Sequence, residues 1–159
     1  IFEETKPEVW REVYEKNAGA ATQFTMQLLP DMLKRSWGRV VTIASIFGKE
    51  GGGRPWFTMA KSAEIALMKS LAMHPEYARS GITFNTLAPG NIMIPDTGWE
   101  KEAKQHPAAF RAMLKKSFPL GRLGTPEEVA AVALFLCSPQ ASLVNGACIT
   151  VDGGESRSF

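Results

Sequence analysis

At 159 residues, 45% hydrophobic and 21% charged, the chain is long enough for one domain with a buried core and short for two. Lys+Arg 18 against Asp+Glu 16 leaves a formal charge of +2, which excludes the strongly basic balance of a nucleic-acid binder and the apolar-poor composition of a disordered tail. No apolar run approaches the ~18 residues of a membrane helix, and the acidic start IFEETKPE lacks the basic-then-apolar order of a signal peptide, so a soluble, cytoplasmic chain with no membrane partner is expected.

The chain opens on Ile1 rather than a methionine, which points to sequence upstream of it. The first helical signal begins at Thr5, with Glu8 at capping-box spacing and Pro7 in the first turn, and its pattern continues through residues 18–36. Gly38 then opens RVVTIAS, a β-branched run suited to a buried parallel strand that ends on Ser45. Gly51, Gly52 and Gly53 follow, with neither the Gly-x-Gly-x-x-Gly nor the Gly-Lys-Ser/Thr spacing of a phosphate-binding turn, and read as a flexible loop. A second helical stretch, residues 57–80, stops at Gly81. Pro75 lies inside it and removes the bond to the Leu71 carbonyl, which predicts a bend or break between Leu71 and Pro75.

ITFNTLAP, residues 82–89, is the second strand. From Asn91 to Leu123 the pattern is mixed and punctuated by proline and glycine, with an amphipathic piece at residues 100–118 suited to lie over a site as a mobile cover. TPEEVAAVALFLCS carries the strongest helix signal, with Thr125 as cap, Pro126 at the first position and Glu128 at the third. GACITVDGG is the last strand. Strands joined by crossovers this long predict parallel pairing through right-handed connections, in one α/β domain over residues 1–159. Cys137 and Cys148 lie in apolar surroundings without Cys-x-x-Cys spacing and read as buried reduced thiols, and no metal site is expected. His74 and His106 have no partner pattern and read as surface residues.

Taken together, Asn17, GRVVTIAS ending on Ser45, FTMAK ending on Lys61, GITFNTLAPG, and LGRLGTPEEVAAVALFLCSPQASLVNGACITVDGG resemble, in this order, the C-terminal half of a short-chain dehydrogenase/reductase. The resemblance runs nearly end to end. It implies part of a Rossmann-type doubly wound parallel sheet, the last three strands with their helices, and an oxidoreductase of carbonyl or hydroxyl compounds that uses NAD or NADP. The family's catalytic group is an asparagine, a serine, a tyrosine and a lysine, the last two spaced Tyr-x-x-x-Lys.

Two departures stand against that pattern. The family's first half, with its glycine-rich turn, its ribose-selecting residue and its Asn-Asn-Ala-Gly segment, has no counterpart; NAGA at residues 17–20 falls inside a helical pattern. A dinucleotide binds across both halves of such a sheet, so the isolated chain is expected to bind NAD(P) weakly or not at all. The second departure is Phe57, which occupies the tyrosine position. In the family the tyrosine hydroxyl, its ordinary pKa near ~10 lowered by the lysine ammonium, exchanges a proton with the substrate oxygen. Phenylalanine keeps the ring and deletes that function, at a cost of about 10²–10⁴ in rate. Thr58 is adjacent but is a far weaker acid.

Each remaining position has two readings. Ser45 contacts substrate on the resemblance, or simply caps its strand. Lys61 contacts the cofactor ribose, or is solvated. Asn17, unfavourable in a helix interior, bends the helix and holds a relay water, or is inert and exposed. Pro89, Gly90 and Ile92 approach the nicotinamide, Ile92 through its main chain, or form an ordinary turn. Ile94 stands where the family often has a phosphate-contacting threonine, with Thr97 shortly after. Trp99, Phe110, Met113 and Phe118 line a substrate pocket or close a core. The resulting expectation is a truncated oxidoreductase chain, inactive alone, that pairs with a complementing N-terminal half or with its own copies. The alternative is a non-catalytic relic or assembly module that associates through its helices, residues 7–35 and 57–79, and its open sheet edge.

Overall fold

The computed structural model describes residues 2–158. Three strands, β1 (Gly38–Ile43), β2 (Ile82–Pro89) and β3 (Cys148–Val151), form a parallel sheet in the order β1-β2-β3. Gly38 to Ile43 lie opposite Ile82 to Leu87, and Thr86 to Pro89 opposite Cys148 to Val151. β2 is buried almost throughout, as its apolar and β-branched run requires. Two of its polar residues are bonded: Asn85 Nδ2 donates to Val144 O (2.8 Å), its Oδ1 accepts from Ala147 N (3.0 Å), and Thr42 Oγ1 meets Thr86 Oγ1 at 3.2 Å, while the buried Thr83 Oγ1 has no partner among the described residues. Asn145 completes the staple, accepting from Phe84 N (2.9 Å) and donating to Ala72 O (3.0 Å). Among the described residues β1 is paired on one side only.

Two helices precede the sheet, α1 (Pro7–Tyr14) and α2 (Ala20–Lys34), joined by a single π-helical turn, Glu15–Gly19. The expected capping box at Thr5 and Glu8 is corrected here. Pro7 takes the first helical position, so the cap falls on Lys6, which makes no side-chain cap bond, and the third position becomes Val9. The box at Thr125 and Glu128 forms in full. Between β1 and β2 lie α3 (Pro55–Ala72) and α4 (Pro75–Arg79); His74 is extended, and the break at Pro75 occurs as predicted. The region after β2 holds α5 (Gly98–Gln105) and α6 (Pro107–Ser117), and α7 (Pro126–Cys137) leads towards β3.

Alternation along the strands divides the core. Ile82 and Phe84 of β2, with Val40, pack against Met32, Met68 and Ala72 from α2 and α3. Leu87 and Val41 face the other way, onto Leu136, Val129 and Val132 of α7. The crossovers through α3 and α7 therefore step in the same direction across the sheet on opposite faces, so they have opposite hand. The expectation that both are right-handed is overturned for one of them: the connection from β2 to β3 runs through α5, α6 and α7 rather than through one helix packed straight back on the sheet, the case on which that rule rests. A third, small cluster of Phe110, Phe118 and Leu123 sits beneath α5 and α6.

The cysteine expectation also needs correction. Both are free; Cys148, in β3, is half-buried, and Cys137 is exposed because it ends α7, whose outer face is uncovered, with Leu134 74% exposed. His74 and His106 are on the surface, His74 stacked on Tyr77 at 4.5 Å. Beside the open edge of β1, Phe24, Thr25, Leu28, Met32 and Val40 line a groove of ≈ 280 Å³, and Phe24 is 66% exposed.

Candidate functional site

The segments after β1 and β2 meet the start of α3 and α7 at one end of the sheet. A cleft of ≈ 400 Å³ opens there, lined by Ile43, Ala44 and Ser45, by Phe57, by Pro89 to Ile92 and Ile94, and by Pro126 and Val129. Ser45 Oγ accepts from Phe47 N (3.2 Å) and so caps the turn Ile46–Gly48 while lining the cleft. Its hydroxyl hydrogen has no acceptor among the described residues, which leaves a donor for a ligand.

Phe57 is half-buried in the cleft wall. Lys61, one turn further along α3, lies behind it: Nζ donates to Ile43 O (2.9 Å) and Glu64 Oε2 (3.0 Å) and stands 5.8 Å from the Phe57 ring centroid. The Lys61 and Glu64 side chains are 11% and 7% exposed. Burial pushes the Glu64 carboxyl above its ordinary value, with the Lys61 ammonium pulling the other way. Gly48 makes this close approach of loop and helix feasible, since a Cβ there would sit 2.9 Å from the Lys61 carbonyl carbon. Thr58 does not line the cleft. Its buried Oγ1 has no partner among the described residues and faces Gly53, whose added Cβ would come within 2.8 Å of it.

Asn17 sits in the π turn, half-buried, with Nδ2 donating to Val13 O (2.7 Å). The turn packs on α3 but contributes nothing to the cleft lining. A π turn widens the helix by one residue and unsettles its bonds, and the Asn17 amide takes up one of the displaced carbonyls.

Beyond β2, Ile92 bridges Gly124 through its neighbours: Met93 N donates to Gly124 O (2.8 Å) and Gly124 N to Asn91 O (3.0 Å). The N–H and C=O of Ile92 itself carry no bond among the described residues, in a residue that lines the cleft. The loop is held from the other side by Glu155, which accepts from Asn91 N (2.8 Å) and from Asn91 Nδ2. Glycine is required at position 90, where a Cβ would meet Asp152 Cβ at 2.7 Å and Asp152 Cα at 3.1 Å. The tail beyond β3 is tied further by Asp152 to Gly154 N (2.9 Å) and Ser156 N (2.7 Å), and by Glu50 to Arg157 N (2.8 Å) and Ser158 N (3.1 Å).

The structure thus gathers Ser45, Phe57, Pro89, Gly90 and Ile92 around one cleft, with Lys61 behind Phe57 and Asn17 more remote. Ile94 is in the cleft wall, while Thr97 spends its hydroxyl on Ile94 O (2.6 Å). Trp99 and Met113 line a separate open groove of ≈ 580 Å³ with Gly98 and Glu102. Phe110 and Phe118 are buried in the small cluster beneath it. Sequence reasoning missed Glu64, although its i,i+3 spacing from Lys61 is a visible pairing signal. It also missed Glu155, for which no local signal exists.

A three-stranded parallel sheet flanked by helices, with this cleft at its strand ends, corresponds to the C-terminal part of a Rossmann-type α/β domain. A family model described as enoyl-(acyl carrier protein) reductase matches residues 1–156, and the chain belongs to the short-chain dehydrogenase/reductase family. It is 40% identical over 147 residues to 3-oxoacyl-[acyl-carrier-protein] reductase of Aquifex aeolicus, covering 91% of this chain and 56% of the relative. It is 35% identical over 156 residues to acetoacetyl-CoA reductase of Rhizobium meliloti, covering 98% and 62%. The solved structure of a Brucella melitensis 3-oxoacyl-[acyl-carrier protein] reductase with bound NAD superposes with a TM-score of 0.79 at 34% identity, over 95% of this chain and 53% of that one. The chain thus spans little more than half the length of these proteins.

Proposed function

We propose that this chain is the nicotinamide- and substrate-side part of an NAD(P)-dependent oxidoreductase acting on a carbonyl or hydroxyl compound, and that the 159 residues alone do not turn over. The observation that carries the reading is the pair of unbonded main-chain groups of Ile92 in the same cleft as the Ser45 hydroxyl. A carboxamide needs one donor and one acceptor side by side, and a substrate oxygen needs a donor; the cleft offers both. The nicotinamide end of the cofactor therefore fits. Its pyrophosphate end does not, because among the described residues no glycine-rich turn leads from a strand into a helix N-terminus.

Bound nicotinamide supplies the hydride acceptor or donor. Ser45 Oγ–H would orient the substrate oxygen, the Ile92 N–H and C=O would hold the carboxamide, and the apolar side chains of Ile43, Pro89 and Ile94 would keep water from the cleft. Lys61 keeps one N–H beyond those given to Ile43 O and Glu64. Phe57 gives shape without a proton, so the proton-transfer step is unassisted at that position. As candidate substrates we take the 3-oxoacyl and acetoacetyl compounds for which the similar reductases are named. The partner is a complementing N-terminal half or another copy of the chain, seated on the open edge of β1 and the groove beside Phe24 and Leu28.

Phe57 favours a second reading, an assembly module without chemistry. Calorimetric titration with NADH and NADPH separates the two, run on the chain alone and on the chain co-expressed with an N-terminal half that carries the glycine-rich turn. Micromolar binding is expected only in the reconstituted pair, and Ile92→Pro, which deletes the amide donor, should abolish it. Binding that survives Ile92→Pro, or that is absent from a well-formed pair, refutes the cofactor reading.

A further inference from the structure

The buried acid beside Lys61 has no counterpart in the chemistry derived so far. Lys61 and Glu64 project from one face of α3, both almost wholly buried, and neither makes another ion pair among the described residues. A buried ammonium must place its hydrogens and a buried carboxylate must find a cation, or each pays a desolvation cost of several kcal/mol. Two of the three Lys61 hydrogens are assigned, one to Ile43 O at 2.9 Å and one to Glu64 at 3.0 Å. That pair of acceptors draws Nζ against the end of β1 and behind the Phe57 ring.

We propose that Glu64 is a positioning residue for Lys61: it holds the ammonium in the seam between α3 and β1 and converts a cation facing position 57 into a neutral pair. The proposal rests on the reading of positions 57 and 61 as the proton-handling part of the site. A lone ammonium favours the ionised form of a neighbouring hydroxyl. A carboxylate 3.0 Å from that ammonium turns the charge into a short dipole, whose effect falls off faster with distance. The chain therefore lacks the acid at position 57 and, independently, screens the charge that would tune one.

The test needs neither cofactor nor turnover, so it remains decisive if the cofactor reading fails. Phe57→Tyr introduces a phenol whose ionisation is followed by ultraviolet absorbance, with the parent chain's Tyr14 and Tyr77 subtracted. Adding Glu64→Gln, which keeps the shape and removes the charge, should lower the new phenol's midpoint by about one pH unit, a tenfold gain in phenolate at fixed pH. Glu64→Asp, one methylene shorter, should lower it by less. In a Phe57→Tyr/Lys61→Met background the Glu64→Gln shift should shrink, because Glu64 acts through the lysine. A midpoint that is unchanged or raised in either Glu64 variant, or a Glu64→Gln shift that persists in full without Lys61, overturns the proposal.

Discussion

Asn145 ties three elements together, and its replacement by leucine should be far more damaging than its half-buried position implies. Its amide accepts from Phe84 N, on a residue with 0% exposure in the centre of β2, and donates to Ala72 O at the end of α3. β3 begins only at Cys148, so Phe84 N has no strand partner on that side, and Gly146 N already uses Phe84 O at 2.8 Å. Leucine fills the space, keeps water out and leaves both backbone groups unsatisfied, at about 1–3 kcal/mol each. Some relaxation at Ala72 brings the expected loss to about 3 kcal/mol, which with a urea slope near 2 kcal/mol/M lowers the unfolding midpoint by roughly 1.5 M. Urea unfolding followed by circular dichroism measures it, with Asn145→Asp retaining the acceptor and losing less. A midpoint within about 0.3 M of the parent would mean that the strand amide finds another partner and that the staple is dispensable.

On the proposed reading, in which the pyrophosphate side of the dinucleotide needs a complementing N-terminal half, Phe57→Tyr alone should give no measurable reduction of a generic ketone; robust NADPH consumption by that single variant would contradict this. Stability should decline with rising pH through Glu64. Burial raises its folded-state pKa above the ordinary glutamate value, so the stability carried by its protonated form is complete below that ordinary value and is lost as pH climbs through the raised one. Glu64→Gln should flatten that descent in urea midpoints measured from pH 4 to pH 8. Lys61→Met leaves the Glu64 carboxylate buried without its cation and should cost about 3–5 kcal/mol at neutral pH, with partial recovery in acid; an equal loss at both pH values would show that the pair is not the cause. The chain should also self-associate at micromolar concentration through the unpaired edge of β1 and the apolar face of α2, and light scattering that finds only monomer would refute this.

Much of the scaffold was legible because its signals are local. ITFNTLAP reads as a buried strand from its own residues, Thr125 and Glu128 announce a cap, and Pro75 cannot sit inside a continuous helix. The misreadings involve competition or distance. Thr5 and Glu8 have capping-box spacing, but Pro7 claims the first helical position and displaces the cap. The π turn at Asn17 depends on how two helices meet α3, which no spacing encodes. The hand of the second crossover depends on which face of the sheet α7 covers, and that is settled by the contact of Leu87 with Leu136, residues far apart in sequence. At the site, Ser45, Phe57 and the segment from Pro89 to Ile92 were found by order and spacing. Glu155 escaped notice because its partner Asn91 is remote in sequence and neither residue belongs to a pattern.

The tail from Asp152 to Ser158 joins no core cluster, yet its carboxylates and amides fasten the loop after β2 and the loop after β1 to the end of β3. Stability and shape are thus assigned to different parts of the molecule. Fraying these last residues would leave the sheet and its melting behaviour almost untouched while letting the Gly90–Ile92 backbone wander, so a thermal scan would report a sound protein whose cleft had lost its form. Extensions such as affinity tags are better placed at the other terminus, and any ligand seated against Ile92 would be felt, through Asn91 and Glu155, at the chain's far end.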